Sequence, residues 1–143
     1  MAHYSTKSKA RLATCHDNLR LLFEEVVKTF DCTIVSGHRT REEQAALYAQ
    51  GRDKPGNIVT HKDGVVKLSN HQGVDGEEPS WAVDATPYPI DWNDTERMVY
   101  FAGYVKGIAS RMGIKVRWGG DWNDDTETDD ERFRDLPHFE LVQ

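Results

Sequence analysis

Histidine and carboxylate side chains near the end of the chain occur at a spacing that suits metal-dependent chemistry. His138 follows Asp135 by three residues, and the alternating stretch after it places His138 and Glu140 on one face of a strand. Pro137 excludes a helix here, so Asp135 is predicted on a turn from which its carboxylate can reach the imidazole. A buried histidine hydrogen-bonded to a neighbouring acid is the alternative interpretation.

A second set of such residues lies in the middle of the chain. His71 falls in a glycine-rich stretch, and Asp84 lies in an apolar, strand-like run between Val83 and Ala85. Burying a carboxylate there costs free energy unless it binds a metal or another cation. Two histidines and one carboxylate form a catalytic zinc set, because they leave one tetrahedral position open for water. His71, Asp84 and His138 are therefore candidate ligands of Zn2+.

Hydrophobic spacing and capping signals predict three helices that frame these residues. A long amphipathic helix is expected from about residue 5 to residue 30, where apolar residues recur at helical spacing. Thr40 and Glu43 form a capping box that starts the second helix, and Gly51 ends it. The third helix is expected over about 95–112.

Four short strands are predicted between and after the helices. They cover residues 32–36, 81–86, 115–118 and 138–142. Residues 51–80 have no sustained period, and an irregular segment of that length inside a compact domain is usually functional. Helices and strands do not alternate, so the predicted class is α+β: a small antiparallel sheet packed with about three helices, with the zinc site in a cleft at the sheet.

Composition excludes several classes of protein. The net charge of −6 argues against a nucleic-acid-binding protein, because attraction to phosphate needs a basic surface. The 143 residues, 38% hydrophobic and 29% charged, are expected to fold as one domain, residues 1–143. No apolar run is long enough for membrane insertion, and the polar start of the chain predicts no signal peptide. Cys15 and Cys32 are expected to be reduced, structural thiols.

Five sequence elements, in the same order, resemble the D-alanyl-D-alanine carboxypeptidase and L-alanyl-D-glutamate endopeptidase family of zinc peptidases, which includes phage endolysins. The elements are Ser36-Gly37-His38-Arg39-Thr40, Ser69-Asn70-His71, Ala82-Val83-Asp84, Trp118-Gly119-Gly120-Asp121-Trp122 and Asp135-Leu136-Pro137-His138-Phe139-Glu140-Leu141. Together they cover about residues 34–142, and their shared order makes a chance resemblance a poor explanation.

The resemblance implies a role for each matching residue. The zinc ligands would be His71, Asp84 and His138. Asp135 would be the general base, and Arg39 would contact the substrate or the oxyanion. A structural ion pair between Arg39 and an acid such as Glu43 is the alternative for Arg39. Ser69 and Glu140 would support the ligands, with a plain turn hydroxyl and an exposed strand acid as alternatives.

One departure from the family concerns the oxygen ligand. The spacing from His71 to Asp84 is longer than the family usually shows, which implies an insertion within residues 73–80. The acids that compete with Asp84 are Asp75, Glu77 and Glu78. Asp84 is preferred because its apolar surroundings match the family, whereas the other acids resemble a solvated loop.

An acidic loop near the end of the chain suggests a second cation, Ca2+. Oxygen-bearing side chains occur there at every second position: Asp121, Asn123, Asp125, Glu127 and Asp129. Thr126 stands where an EF-hand needs glycine and Arg132 where it needs glutamate, so only a looser calcium site is predicted. A solvated acidic loop is the alternative.

The expected function is hydrolysis of the peptidoglycan stem peptide by a zinc-dependent, endolysin-like peptidase. The L-alanyl-D-glutamate bond is favoured, because the small single-domain chain resembles the endolysin branch. The alternatives are a D-Ala-D-Ala carboxypeptidase and a non-catalytic cell-wall binding module on the same fold. The protein is expected to be a monomer that is made in the host cytoplasm without a signal peptide and acts on the cell wall after release.

Overall fold

The computed structural model describes residues 2–142 and confirms the α+β class. Its helices are α1 (Thr6–Leu12), α2 (Asp17–Val27), α3 (Arg41–Ala49) and α4 (Thr95–Met112). Its strands are β1 (Cys32–Ser36), β2 (Ala82–Pro87), β3 (Val116–Gly119) and β4 (Asp135–Leu141). Two short 3-10 turns, Asn70–Gln72 and Val74–Gly76, lie between α3 and β2.

The four strands form one antiparallel sheet in the order β1-β2-β4-β3. In the central pair, Asp84 of β2 lies opposite His138 of β4. Residues directly opposite each other in an antiparallel pair point their side chains to the same face. The sheet register therefore brings a carboxylate and an imidazole together from positions far apart in the chain.

Helices α2 and α4 cover the other face of the sheet. The Phe139 ring of β4 packs edge-on against Phe23 of α2 and Phe101 of α4, at 5.5 and 6.1 Å between centroids. All three phenylalanines are buried. Since side chains alternate along a strand, Phe139 fills the core while His138 and Glu140 face the opposite side. One strand thus supplies both core and site.

The prediction of one long helix over residues 5–30 is wrong. The helix is interrupted between α1 and α2. There the His16 backbone N–H donates to the Ser80 carbonyl, and the Thr14 carbonyl accepts the backbone N–H of Ser80, both at 2.8 Å. The His16 side chain then caps α2 by accepting the N–H of Asn18 at 3.0 Å. These bonds to a distant residue end α1, although the apolar spacing continues across the break. Residues 2–142 form four α-helices instead of about three.

The capping signals are confirmed, but one strand boundary is not. Thr40 and Glu43 make the reciprocal capping box that starts α3, and Gly113 ends α4 in the left-handed conformation. Asp135, predicted on a turn, is instead the first residue of β4, opposite Gly119. Pro137 is tolerated because pairing with β2 begins only at the next residue.

No helix within residues 2–142 has both the length and the apolar character needed to cross a bilayer.

Candidate metal centre and active site

Three side chains converge where β2, β4 and the first 3-10 turn meet. Asp84 Oδ1 lies 3.3 Å from His71 Nε2 and 3.4 Å from His138 Nδ1, and the two nitrogens are 3.2 Å apart. All three side chains are buried. Among residues 2–142, no other group of three or more histidine, cysteine or acidic side chains is gathered this closely. The structure therefore brings together the three predicted ligands.

The spacing of these atoms fits a small tetrahedral ion. Zinc bonds of about 2.0–2.1 Å place tetrahedral ligand atoms about 3.3–3.4 Å apart, close to the three distances found here. In addition, Asp84 Oδ1 is buried and makes no hydrogen bond within the described chain. A buried carboxylate oxygen without a partner is costly, and a cation between it and the two imidazoles would remove that cost.

His71 is held by two contacts, and the one made by its ring fixes which nitrogen faces the cluster. Its Nδ1 lies 2.9 Å from the carbonyl oxygen of Gly37, and only a protonated Nδ1 can donate to it, so Nε2 is left free to bind a metal. Its backbone N–H is accepted by the Ser69 hydroxyl at 3.2 Å. Gly37 has no room for a side chain, because a Cβ there would lie 2.3 Å from the carbonyl oxygen of Arg11.

His138 is oriented by Glu140 on the same face of β4. The ring Nε2 lies 2.7 Å from Glu140 Oε1, which leaves Nδ1 directed at Asp84. Arg117 holds the same carboxylate at 3.5 Å, and the Trp122 ring lies 5.3 Å from the imidazole. Glu140 is therefore placed as the hydrogen-bonding partner of a candidate ligand, as is usual for histidines that bind metals.

Arg39 contacts the other oxygen of Asp84. Its Nη2 donates to Asp84 Oδ2 at 3.0 Å, and its Nη1 donates to Gln44 Oε1 at 3.2 Å. Arg39 thus makes an ion pair with an acid, but the acid is Asp84; Glu43, the example given from the sequence, instead accepts the Thr40 backbone N–H within the capping box. By engaging Oδ2, Arg39 leaves Oδ1 for the cluster with the histidines.

Asp135 lies at the edge of this cluster. Its Oδ2 is 3.9 Å from His138 Nδ1, and its side chain is 32% exposed, so it can reach solvent in the cleft. The Trp118 indole donates to the carbonyl of Leu136 at 2.7 Å, and a Cβ on Gly119 would lie 2.1 Å from the Asp135 carbonyl oxygen. The tryptophan-glycine element noted in the sequence therefore fixes the backbone that carries Asp135.

The surroundings shift the pKa values of these groups in different directions. Burial opposes ionisation of Asp84, but His71 and His138 hold its pKa well below its usual range. Burial and the Asp84 carboxylate raise the pKa of Asp135 to about 6. One carboxylate is thus kept ionised, as binding a metal would require, while its neighbour can exchange a proton near neutral pH.

The histidine pKa values also diverge. Burial lowers the pKa of His71, which favours the neutral form that binds metals. For His138, burial opposes protonation, but the nearby Asp84 carboxylate and the hydrogen bond with Glu140 raise the pKa to about 9. In the metal-free cluster a proton on His138 therefore offsets part of the carboxylate charge, and a metal ion would have to displace it.

A cleft of about 400 Å³ opens in front of the cluster. Its lining includes apolar side chains, which are Leu47, Val59, Leu68, Trp122 and Phe133, and polar ones, among them Arg39, Lys62, Asn70 and Asp135. The His61 and Phe133 rings meet across it, 5.1 Å between centroids. Residues of the irregular segment 51–80 thus form a wall of the cleft.

The insertion within residues 73–80 does not reach the cluster. Asp75, Glu77 and Glu78 are exposed, and the segment ends at Ser80, which is bonded to the junction of α1 and α2. The structure places Asp84 beside the histidines, as preferred from its apolar context.

The acidic loop does not gather its carboxylates into a compact group. Asp121 is buried and accepts the backbone N–H groups of Asp125 and Thr126 at 3.2 and 3.0 Å. The Asn123 amide donates to Asp125 and Asp130 at 2.9 and 3.0 Å. In the described chain these contacts order the loop internally, and calcium binding by this loop stays a prediction.

Two contributors to the site were not found from the sequence. Gly37 offers only a backbone carbonyl to His71, and a carbonyl carries no residue-type signal. Gln44 lies in a mostly polar helix, where its burial cannot be told from the pattern. The Ser-Gly-x-Arg element, which includes Gly37, was the one sequence feature that pointed to this part of the site.

The chain is similar to known L-alanyl-D-glutamate peptidases. A family model described as "Phage L-alanyl-D-glutamate peptidase" matches residues 1–142. The chain is 29% identical over 147 aligned residues to the L-alanyl-D-glutamate peptidase of Escherichia phage T5, covering 97% of each chain. It is 32% identical over 124 residues to the peptidoglycan L-alanyl-D-glutamate endopeptidase CwlK of Bacillus subtilis (strain 168), covering 80% of this chain and spanning only 63% of CwlK.

A solved structure shares the fold. The Serratia marcescens L-Ala D-Glu endopeptidase ChiX superposes with a TM-score of 0.59 at 20% identity, covering 98% of this chain and 90% of ChiX. At that identity the likeness concerns the fold alone. The family model, by contrast, matches the sequence over nearly its whole length, and the chain belongs to the phage L-alanyl-D-glutamate peptidase family.

Proposed function

We propose that this protein is a zinc-dependent peptidase that hydrolyses the L-alanyl-D-glutamate bond of peptidoglycan stem peptides. The observation that carries the proposal is the near-equilateral cluster of His71, Asp84 and His138, with an unpartnered carboxylate oxygen, at the base of a cleft. Family membership and the named activities of the phage T5 and Bacillus relatives support the choice of bond.

The three clustered residues would hold the zinc ion through His71 Nε2, Asp84 Oδ1 and His138 Nδ1. When bound, zinc supplies a Lewis acid that activates water and polarises a carbonyl group. Two histidines and one carboxylate are the donor set of a catalytic site, because they leave one coordination position for water or substrate. Structural sites, by contrast, are closed by four protein ligands.

Asp135 is the proposed general base. It borders the cluster, reaches solvent, and has a pKa raised to about 6, so it is mostly ionised at neutral pH and can still carry a proton in transit. It would take the proton of the attacking water and pass it to the leaving amine. Glu140 is less suited to this role because its carboxylate is committed to His138 and Arg117.

Arg39 is proposed to act on both the site and the substrate. Its contacts with Asp84 and Gln44 use only some of its N–H groups, and its side chain lines the cleft. The remaining donors and the nearby Lys62 provide positive charge for a substrate carboxylate or a developing oxyanion. The apolar side chains of Leu47, Val59 and Leu68 suit a small residue such as alanine.

The cell wall is the proposed place of action, after release of the protein from the cytoplasm in which it is made. We also propose that the protein acts as a monomer, since His71, Asp84 and His138 of a single chain already supply the two-histidine, one-carboxylate set that a catalytic zinc site needs.

The test is digestion of purified peptidoglycan with zinc-loaded protein, followed by mass spectrometry of the products. We expect stem peptides with a new amino terminus at D-glutamate, and no such products from Asp135→Asn. Loss of terminal D-alanine without that product would identify a carboxypeptidase. Binding to the polymer without any cleavage would identify a non-catalytic module.

A further inference from the structure

The side chain of Gln44 is a buried polar group in a helix that faces solvent. It is 0% exposed, and it is the one buried residue of α3, whose other side chains are half-buried or exposed. Hydrophobic packing therefore does not explain its position. A carboxamide buried this completely requires hydrogen-bond partners, and those partners indicate what it holds in place.

The Gln44 carboxamide has three partners, all at the cleft. Its Oε1 accepts from Arg39 Nη1 at 3.2 Å, while its Nε2 donates to Thr60 Oγ1 at 3.2 Å and to the Lys62 carbonyl at 2.9 Å. Arginine can only donate and a carbonyl can only accept, so the orientation of the carboxamide is fixed by its neighbours. Both N–H groups of the amide are used.

These bonds join the wall of the cleft to a proposed metal ligand. Arg39 bonds Gln44 through Nη1 and Asp84 Oδ2 through Nη2, at 3.0 Å for the latter. A continuous path therefore runs from Lys62 through Gln44 and Arg39 to Asp84. A second buried amide, Gln72, also ties the wall by donating to the Gly64 carbonyl at 3.0 Å, but among the described contacts it makes none to Arg39.

We propose that Gln44 is a positioning residue of the metal centre. Its carboxamide holds the Arg39 guanidinium in the orientation that directs Asp84 Oδ1 towards the two histidines, and it fixes the cleft wall at Thr60 and Lys62 relative to that guanidinium. The inference rests on the proposed metal centre and not on which peptide bond is cleaved.

Glutamine suits this position better than residues of similar size. Glutamate would form a charge-assisted bond that draws Arg39 away from Asp84, and it would offer no donor to the Lys62 carbonyl. Methionine would fill the space but leave an Arg39 N–H and the Lys62 carbonyl unpaired. Both replacements should therefore disturb the metal ligand without touching it.

The test compares zinc affinity across matched variants by competition with a chromophoric chelator. We expect Gln44→Met and Gln44→Glu to bind zinc about 10-fold more weakly than the natural protein, the typical effect of losing support behind a ligand. The control is Gln50→Met, at the end of the same helix, where the amide donates to the Asn57 carbonyl at 2.9 Å away from Arg39. It should bind zinc unchanged.

A double-mutant cycle separates positioning from general destabilisation. If Gln44 acts through Arg39, the double variant Arg39→Met/Gln44→Met will bind zinc no more weakly than Arg39→Met alone. Thermal unfolding of the metal-free variants shows whether each is folded, and Gln44→Glu, close in shape to glutamine, serves if Gln44→Met is not.

The proposal would be overturned by a folded Gln44 variant with unchanged zinc affinity, by losses that add in the double variant, or by natural protein that binds no zinc. These readouts do not depend on hydrolysis. Natural protein that binds zinc but leaves peptidoglycan intact would contradict the proposed activity and leave the role of Gln44 to be decided by the cycle.

Discussion

Glu140 and His138 lie two residues apart on β4, and the 2.7 Å contact between Oε1 and Nε2 determines which nitrogen of the imidazole faces Asp84. The alternation of side chains along the strand makes this pairing possible. It commits Nε2 to the carboxylate and leaves Nδ1 for the cluster. The form of His138 that the proposed metal centre requires is thus set by Glu140, which is not one of the three proposed ligands.

We predict that Glu140→Ala weakens zinc binding by about 10-fold or more, because His138 loses the partner that fixes its ring. Glu140→Gln should lose less, since an amide oxygen still accepts from Nε2. Isothermal titration calorimetry with zinc measures both. The exposed Glu77→Ala is the control, and equal affinity for Glu140→Ala and the control would refute the role assigned to Glu140.

Asp135→Ala is expected to keep stoichiometric zinc while hydrolysis falls by about 10²–10⁴-fold, because a base acts on the water and is not needed to hold the ion. Metal analysis and a cleavage assay on the same preparation check both halves. Loss of zinc from the variant would instead indicate that Asp135 is a metal ligand. Cleavage at a near-natural rate would place the base elsewhere, with Glu140 the first residue to examine.

The free energy of unfolding should fall as the pH rises from about 9 to about 11. Burial raises the pKa of Cys15 to about 12 and that of Cys32 to about 11, and it also raises the pKa of Tyr4 above its usual range. Unfolded thiols ionise near pH 9 while the folded protein keeps these protons, so alkaline solution favours the unfolded chain. Below about pH 9 both the folded and the unfolded chain keep these protons, so this loss of stability does not occur.

Urea unfolding at several alkaline pH values measures this slope. Replacing both cysteines, Cys15→Ala/Cys32→Ala, should flatten the decline between pH 9 and pH 10, where Tyr4 contributes little. A double variant with the same slope as the natural protein would show that the thiols are not responsible.

Calcium is expected to bind the acidic loop and to change the cleavage rate. Asp121, Asn123, Asp125, Glu127 and Asp129 offer the oxygen ligands that calcium prefers. The loop connects β3 to β4, so ordering it would act on Asp135 and His138. Calorimetric titration of zinc-loaded protein with calcium, paired with a cleavage assay, is the measurement. No heat at millimolar calcium, or binding without a change in rate, would leave the loop as solvated surface.

The sequence was sufficient to identify features that depend on local chemistry. The capping box of Thr40 and Glu43 is a short-range pattern and is confirmed. Asp84 stood out because a carboxylate in an apolar strand needs a cation or a similar partner, and the structure places it between His71 and His138. That argument requires no knowledge of the three-dimensional arrangement.

Features set by distant residues could not be predicted. The break between α1 and α2 depends on backbone hydrogen bonds to Ser80, and the local spacing of apolar residues carries no information about them. The sequence suggested a substrate contact for Arg39 or an ion pair with an acid such as Glu43, but it did not reveal the bonds to Asp84, 45 positions away, and to Gln44. Such partners follow from how the strands and loops are assembled, and no local pattern records them.

The most direct test of the proposed zinc site is titration of metal-free protein with zinc while both metal content and peptide cleavage are followed. We predict that the natural protein and Asp75→Ala gain activity in proportion to zinc, up to one equivalent per chain. Asp84→Ala should neither retain stoichiometric zinc nor cleave. Full cleavage by the metal-free protein, or zinc retained by Asp84→Ala and lost from Asp75→Ala, would contradict the assignment of His71, Asp84 and His138 as the metal centre.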